Sequence, residues 1–224
     1  MSNIPQNIPE GAIRFNTDSS KMEVWIGDKW MIVATSSPNL DGGARGIVMG
    51  GNPGTNRIDF LTISTTGDAT EFGDLLTASN LGASGGSRTR GICVIGTPSH
   101  SDKLEFITIA STGNAQDFGD QSHSNHKRNI SNGGSETRMI IAGGVFGTNP
   151  YTYYNSMEFV TIASTGNTVD FGDMTEGRTN PFTASSPTRF VTMGGYKGSS
   201  PNASDVIEFV TTASTGNSQD FGDL

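Results

Sequence analysis

An all-β fold is the expectation for this chain, and three observations predict it. A sixteen-residue block recurs without insertion at Asp59–Asp74, Glu105–Asp120, Glu158–Asp173 and Glu208–Asp223. Each block couples a β-branched and aromatic run to a Ser-Thr-Gly-Asn turn (Ser-Thr-Thr-Gly-Asp in the first) and then Asp/Glu-Phe-Gly-Asp, the pattern of strand, tight turn, strand. No segment carries a sustained helical period.

Taken in order, residues 1–10 read as an extended arm, because Pro5 and Pro9 push their predecessors toward extended geometry. Ala12–Asn16, Lys21–Ile26 and Trp30–Ala34 read as short strands, with turns at Asn16–Ser20 and Gly27-Asp28. Met22–Ile26 resembles Met157–Thr161, so residues 11–40 form either a diverged first repeat or an attachment segment. Residues 41–224 hold four clear repeats of about fifty residues each, the Phe72, Phe118, Phe171 and Phe221 positions lying 46, 53 and 50 apart. Strand a of each repeat starts at Arg45, Arg90, Arg138 or Arg189 and is apolar on both faces, as a buried strand is. A variable loop leads to strand b, the constant turn to strand c, and a polar stretch, strand d, to the next Arg.

Four short antiparallel strands per fifty-residue unit describe a propeller blade. The last repeat stops after strand c, so the reading places a terminal strand there to close the ring. Counting the diverged segment, 224 residues over five blades give about 45 each, a usual repeat size, and five is favoured. The alternative is four, with Met31–Asn39 as the closing strand.

Composition narrows function. Hydrophobic residues are only 33% and glycines number 30, the balance of many short strands joined by turns. A formal charge of −8 without a basic run argues against nucleic acid, whose binding rests on phosphate neutralisation. No apolar run approaches the ~18 residues of a membrane span, and Met1–Glu10 lacks the apolar stretch of a signal peptide. The single cysteine, Cys93, sits in an apolar run as a buried free thiol.

Strands ending in Gly50-Gly51, Gly143-Gly144 and Gly194-Gly195 resemble kelch repeats, although repeat two has Gly96-Thr97 and the kelch Tyr and Trp are missing. Gly11–Asp18 followed by Met22–Trp25, Gly27-Asp28 and Trp30 is similar to a segment of bacteriophage tail-fibre and virion structural proteins. The tandem blocks resemble repeats in virion proteins of marine phages, notably cyanophages. Together these resemblances span nearly the whole chain and imply a component of a phage particle.

Asp-Phe-Gly is no kinase signature here, because no phosphate loop or His-Arg-Asp accompanies it and it occurs four times. Asp74, Asp120, Asp173 and Asp223 are expected to be structural, their carboxylates accepting backbone N–H groups. Arg45, Arg90, Arg138 and Arg189 are expected to pair with the recurring acids Asp59, Glu105, Glu158 and Glu208. Function should sit where repeats differ. The a–b loops vary most, and the longest, Val145–Ser156, holds Tyr151, Tyr153 and Tyr154, three of the chain's four tyrosines. With Tyr196 and Lys197 of the next a–b loop and His123, His126 and Lys127 of the preceding c–d loop, they form the candidate binding face. Asp120-x-x-His123-x-x-His126 has metal-ligand residue types but no evident fourth ligand, so no metal or cofactor is assigned. No lone Ser-His or carboxylate pair stands out.

The expectation is a non-enzymatic virion structural protein on the particle surface, in a tail fibre or as capsid decoration. It would contact other virion proteins and a host cell-surface glycan or protein. A glycan-binding propeller is the alternative, a polysaccharide-acting enzyme the third reading. Oligomeric state stays open.

Overall fold

The computed structural model of the chain describes residues 8–17, 21–33, 44–98, 101–122, 130–147, 150–198 and 202–224. It is all-β: twenty-one short strands form six antiparallel sheets, and the described residues contain no helix. The chain divides into two compact units, Met1–Leu40 and Asp41–Leu224. Most of the N-terminal arm lies outside the described residues.

The first unit is a three-stranded meander of Ile13–Asn16, Lys21–Ile26 and Lys29–Ile32. Gly27, at φ 67°, opens the two-residue turn between the last two strands, the conformation a type II′ turn needs at that place. Trp25 and Trp30 meet edge to face at 5.3 Å, and the Arg14 guanidinium covers Trp30 at 4.2 Å. Arg14 also pairs with the buried carboxylate of Glu23 at 2.7 Å, to which Asn16 donates at 3.0 Å.

The second unit holds four larger sheets. Sheet I comprises Arg45–Met49, Thr55–Thr62 and Thr70–Asn80, extended by the two residues Thr97–Pro98. Sheet II comprises Ala83–Gly86, Arg90–Val94, Lys103–Thr108 and Gln116–Asp120. Sheet III comprises Ser131–Gly134, Arg138–Ala142, Ser156–Thr161 and Val169–Asp173, and sheet IV Phe182–Ser185, Arg189–Met193, Val206–Thr211 and Gln219–Asp223.

The strand order corrects the expected repeat boundary. Strand d belongs to the Arg strand that follows it, in the order d-a-b-c. The link between them is a tight Ser-x-Thr turn: Ser87 N–H donates to the Arg90 carbonyl (2.9 Å), and Thr89 N–H to Ser87 Oγ (3.3 Å). Strands joined by so short a connection pair with each other. Sheet IV therefore has all four strands from its own segment, and no terminal strand completes it. Sheet I is the one without a strand d among the described residues. Of the alternative closing segment Met31–Asn39, only Met31–Val33 is described, and Met31-Ile32 belongs to the N-terminal sheet.

The recurring Phe is a bulge. Leu104 pairs with Gly119 and Glu105 with Asp117, which leaves Phe118 unpaired in the ladder; Phe72, Phe171 and Phe221 are skipped in the same way. A bulge re-aims a side chain, and each ring meets the strand-b phenylalanine edge to face, at 5.8 Å for Phe118 and Phe106. The repeat arginine lies over that second ring, Arg90 at 4.6 Å from Phe106, a cation–π contact.

Successive sheets join by one contact, made three times. Gly113 N–H donates to the Phe72 carbonyl (2.8 Å), Ala115 N–H to the Asp74 carbonyl (2.8 Å), and Asp74 N–H to Asn114 Oδ1 (3.1 Å). Gly166, Thr168 and Asn167 repeat this on Phe118 and Asp120, and Gly216, Ser218 and Asn217 on Phe171 and Asp173. The Ser-Thr-Gly-Asn turn of one sheet thus docks on the Phe-Gly-Asp of the sheet before it. A Cβ on Gly73, Gly119 or Gly172 would overlap the docked glycine carbonyl, and their φ values of 134–156° exclude most side chains as well. Apolar clusters fill the three interfaces: Ile58, Phe72, Leu75, Cys93 and Ile107 between sheets I and II, Ile92, Phe106, Phe118, Met139 and Val160 between II and III, and Ile140, Met157, Phe171, Phe190 and Val210 between III and IV.

Candidate functional site

The d strands converge, and their small residues permit it. Asn132 Nδ2 donates to the Ser84 carbonyl (2.9 Å), Thr183 Oγ1 to the Asn132 carbonyl (2.8 Å), and Gly134 N–H to Ser185 Oγ (2.9 Å). A cleft opens at each end of these strands. At their hairpin ends lies one of about 370 Å³, lined largely by glycine and serine from Gly85 to Pro187. At their start lies the larger, about 550 Å³, lined by Leu81, Val145, Tyr151, Tyr153, Thr179, Asn180 and Tyr196. That volume suits a small ligand or a side-chain anchor.

Local hydrogen bonds hold the tyrosine cleft together. Val145-Phe146 pairs with Thr152-Tyr153 in a small ribbon. Gly144 N–H donates to the Arg178 carbonyl (2.9 Å) and Arg178 N–H to the Tyr154 carbonyl (3.2 Å), tying the ribbon to the connector at 174–181. Tyr196 pairs with Thr179 on the other side of that connector. The Tyr153 and Tyr196 rings sit 5.7 Å apart. Burial, then the neighbouring Tyr196 and Tyr151, pushes the Tyr153 hydroxyl above its ordinary pKa. Gly198, at φ 74°, touches the edge of Tyr153 so closely that a Cβ there would displace the ring. Lys197 is held by Glu176 at 3.4 Å. Tyr154 contributes its backbone to the connector rather than a ring to the lining.

Two residues enter the cleft walls in the left-handed region without being glycine: Leu81 at φ 53° and Asn180 at φ 50°. Both stand two residues before a d strand. The strain therefore belongs to the connector, which turns there to start each sheet.

The other predicted residues take structural roles. The repeat arginines do not pair with the repeat acids. Register sets Arg90 opposite Thr108 and Glu105 opposite Cys93, about 10 Å apart along the strands. Arg45, Arg90 and Arg138 instead donate to the carbonyls of Ile109, Ile162 and Thr212 in the next sheet, at 2.6, 3.0 and 3.1 Å. The acids accept backbone N–H groups of the preceding sheet, Glu105 from Leu76 (2.7 Å), Glu158 from Ser122 (3.3 Å) and Glu208 from Thr175 (2.9 Å). At Asp74, Asp120 and Asp173 the main chain, not the carboxylate, brackets the next turn; the Asp120 carboxylate binds Lys103 at 2.6 Å. His123, His126 and Lys127 lie outside the described residues. Among the described residues no group of three or more His, Cys, Asp or Glu side chains is placed to hold a metal, and no helix is long and apolar enough to cross a membrane.

The residue that sequence reasoning missed is Arg178. It is fully buried beneath the cleft and pairs with the equally buried Glu208. It also donates to the Gly194 and Val206 carbonyls (both 3.0 Å) and to Thr192 Oγ1 (3.0 Å). It occurs in one repeat only, so periodicity gave no signal. A lone arginine in the Glu-Gly-Arg connector beside the longest a–b loop was the available clue.

No family model and no curated protein matches the sequence. Among solved structures the chain is similar in fold to that of YjhT, with a TM-score of 0.64 and 8% identity over 81% of this chain. At that identity the likeness shows fold alone. The match spans 63% of the YjhT chain's length.

Proposed function

We propose that this chain is a non-enzymatic structural protein of a bacteriophage particle, and that its tyrosine cleft contacts the host surface. The sheets are read as blades of a propeller. Five blades would need the N-terminal sheet to serve as one. That sheet has Gly27-Asp28 where the others carry the docking turn, so four blades are preferred, as an open series in which sheets I and IV are not closed on each other within one chain.

The observation that carries the reading is the division of labour among side chains. Every recurring arginine and strand-b acid whose contacts are described above belongs to the framework, while the tyrosine cleft is lined by Tyr151, Tyr153 and Tyr196, which have no tyrosine counterparts in the first two repeats. Tyrosine offers flat apolar area with a polar tip at small entropic cost, the make-up of a binding surface. The resemblance of Gly11–Asp18 and of the tandem blocks to phage virion proteins supports the particle. The acidic net charge of −8 supports a protein or glycan partner rather than nucleic acid. A lectin with equivalent sites between blades fits less well, because this cleft is lined by tyrosines of two unlike loops.

Binding of the labelled full chain to host cells tests the reading. Tyr153→Ala should remove binding while thermal stability stays near that of the parent. Loss of binding to free sugar would assign the lectin. Turnover of envelope polysaccharide, or cell binding that survives both Tyr153→Ala and Tyr196→Ala, would contradict the proposal.

A further inference from the structure

The sheet-to-sheet contact described above leaves one unmatched half at each end of the four-sheet array. On sheet IV, Phe221 is 56% exposed, whereas Phe72, Phe118 and Phe171 are 1–3% exposed. Leu224 is 72% exposed where its counterparts Leu75 and Met174 are 2%. A Cβ on Gly222 would meet nothing within 4 Å, although the other three glycines of this position are covered by a docked turn. On sheet I, Val48, Leu61 and Ile63 are exposed at the places that Cys93, Ile107 and Ile109 occupy in sheet II, of which Cys93 and Ile107 are core residues.

The two halves are complementary in register. Sheet I offers the Gly67 and Ala69 N–H groups, a side-chain acceptor on Asp68 and the Ile63 carbonyl. Sheet IV offers the Phe221 and Asp223 carbonyls, the Asp223 N–H and the Arg189 guanidinium over Phe209. Each group matches one used at the three internal junctions, down to the arginine, whose counterparts all donate to the Ile63-equivalent carbonyl.

We infer that sheet IV of one chain docks on sheet I of a second copy by this same contact, in a head-to-tail association. The occupant is argued from continuity with the internal interface: only a sheet with a Thr-Gly-Asp/Asn turn supplies both N–H donors and the acceptor, and sheet I has one. The N-terminal sheet, with its Gly27-Asp28 turn, does not. A heterologous contact of this kind closes into a ring or extends as a filament. One sequence difference tunes it. Asp68 stands where the other turns have Asn114, Asn167 and Asn217, so docking sets a second carboxylate beside Asp223, a repulsion that salt screens.

Sedimentation velocity of the full chain over a concentration series tests this. Association should rise with concentration and with salt. Asp68→Asn should tighten it at low salt by several-fold. Gly222→Ala meets no atom within one chain but is strained at φ 142°, so it should abolish association at some cost in stability, whereas Leu224→Glu, at a side chain 72% exposed within one chain, should abolish it with a melting temperature within a few degrees of the parent. A chain that stays monomeric at its highest soluble concentration, in both parent and Asp68→Asn, overturns the inference. So does association that Gly222→Ala leaves unchanged.

Discussion

Glu105 is the weakest-served of the three buried strand-b acids, and the reason is one missing hydroxyl. Thr168 Oγ1 donates to Glu158 and Ser218 Oγ to Glu208, but the equivalent residue beside Glu105 is Ala115. One carboxylate oxygen of Glu105 finds no partner. Burial pushes its pKa up, against the opposing Leu76 N–H and Thr77. Ala115→Ser restores the donor with little added volume. A hydrogen bond to a charged group contributes about 1.5–3 kcal/mol; since Leu76 already serves this carboxylate, about 1 kcal/mol is expected. For a chain of this size that raises the melting temperature by roughly 2–4 °C. The pH dependence identifies the cause. A folded-state pKa above the unfolded value means that Glu105 favours folding at low pH and that this contribution is lost as pH rises through the folded pKa. The serine stabilises the ionised form and lowers that folded pKa. Its gain should therefore be absent near about pH 3, below the unfolded carboxylate pKa, and larger at about pH 7, where the ionised form counts for more. Calorimetry at both pH values measures it. An equal gain at both, or a loss at neutral pH, would refute the reasoning.

Three other outcomes follow from buried or charged groups. Arg178→Ala strands Glu208 in the interior and should cost about 3–5 kcal/mol, read by urea denaturation; a loss under about 1 kcal/mol would show that water reaches the pair. Hydrogen bonds from Asn16 and Arg14 hold the Glu23 carboxyl below the usual range, so its contribution is present above the unfolded carboxylate pKa and is lost as pH falls through the folded one. Both tryptophans lie in that N-terminal sheet, so their fluorescence should report an acid transition there that Arg14→Ala moves to higher pH; an unmoved transition would mean another group drives it. Burial, with the Glu105 charge second, pushes the Cys93 thiol up to about 12, so a thiol reagent at about pH 8 should react only after denaturant is added, and stoichiometric labelling of the folded chain would contradict its place in the core.

The repeat and its strands were legible because local chemistry fixes them: β-branched runs, a Gly-Asn turn, and a bulge that needs Phe followed by Gly. Their partners were less so. The constancy of Ser-Thr-Gly-Asn reflects a non-local contact, the docking of each turn on the sheet before it, which reads in sequence as an ordinary hairpin. Strand d was assigned to the wrong sheet because its Ala-Ser-Gly-Gly or Ser-Asn-Gly-Gly sequence has weak strand propensity; the recurring Ser-x-Thr-Arg after it was the clue to its hairpin. Opposite charges at fixed spacing suggested Arg–acid pairs, but register and the phenylalanine ring between them decide otherwise. The tyrosine loop stood out by composition, yet its pairing with the 174–181 connector and Tyr196 depends on backbone bonds that no pattern encodes.

The most direct test of the attachment reading is antibody-gold labelling of phage particles purified from a lysate that contains the protein, viewed by electron microscopy. Gold at the tail tip or fibres is the predicted result, and gold over the capsid would retain the particle but move the role to decoration. Particles without gold, from a lysate that contains the protein, would contradict the account.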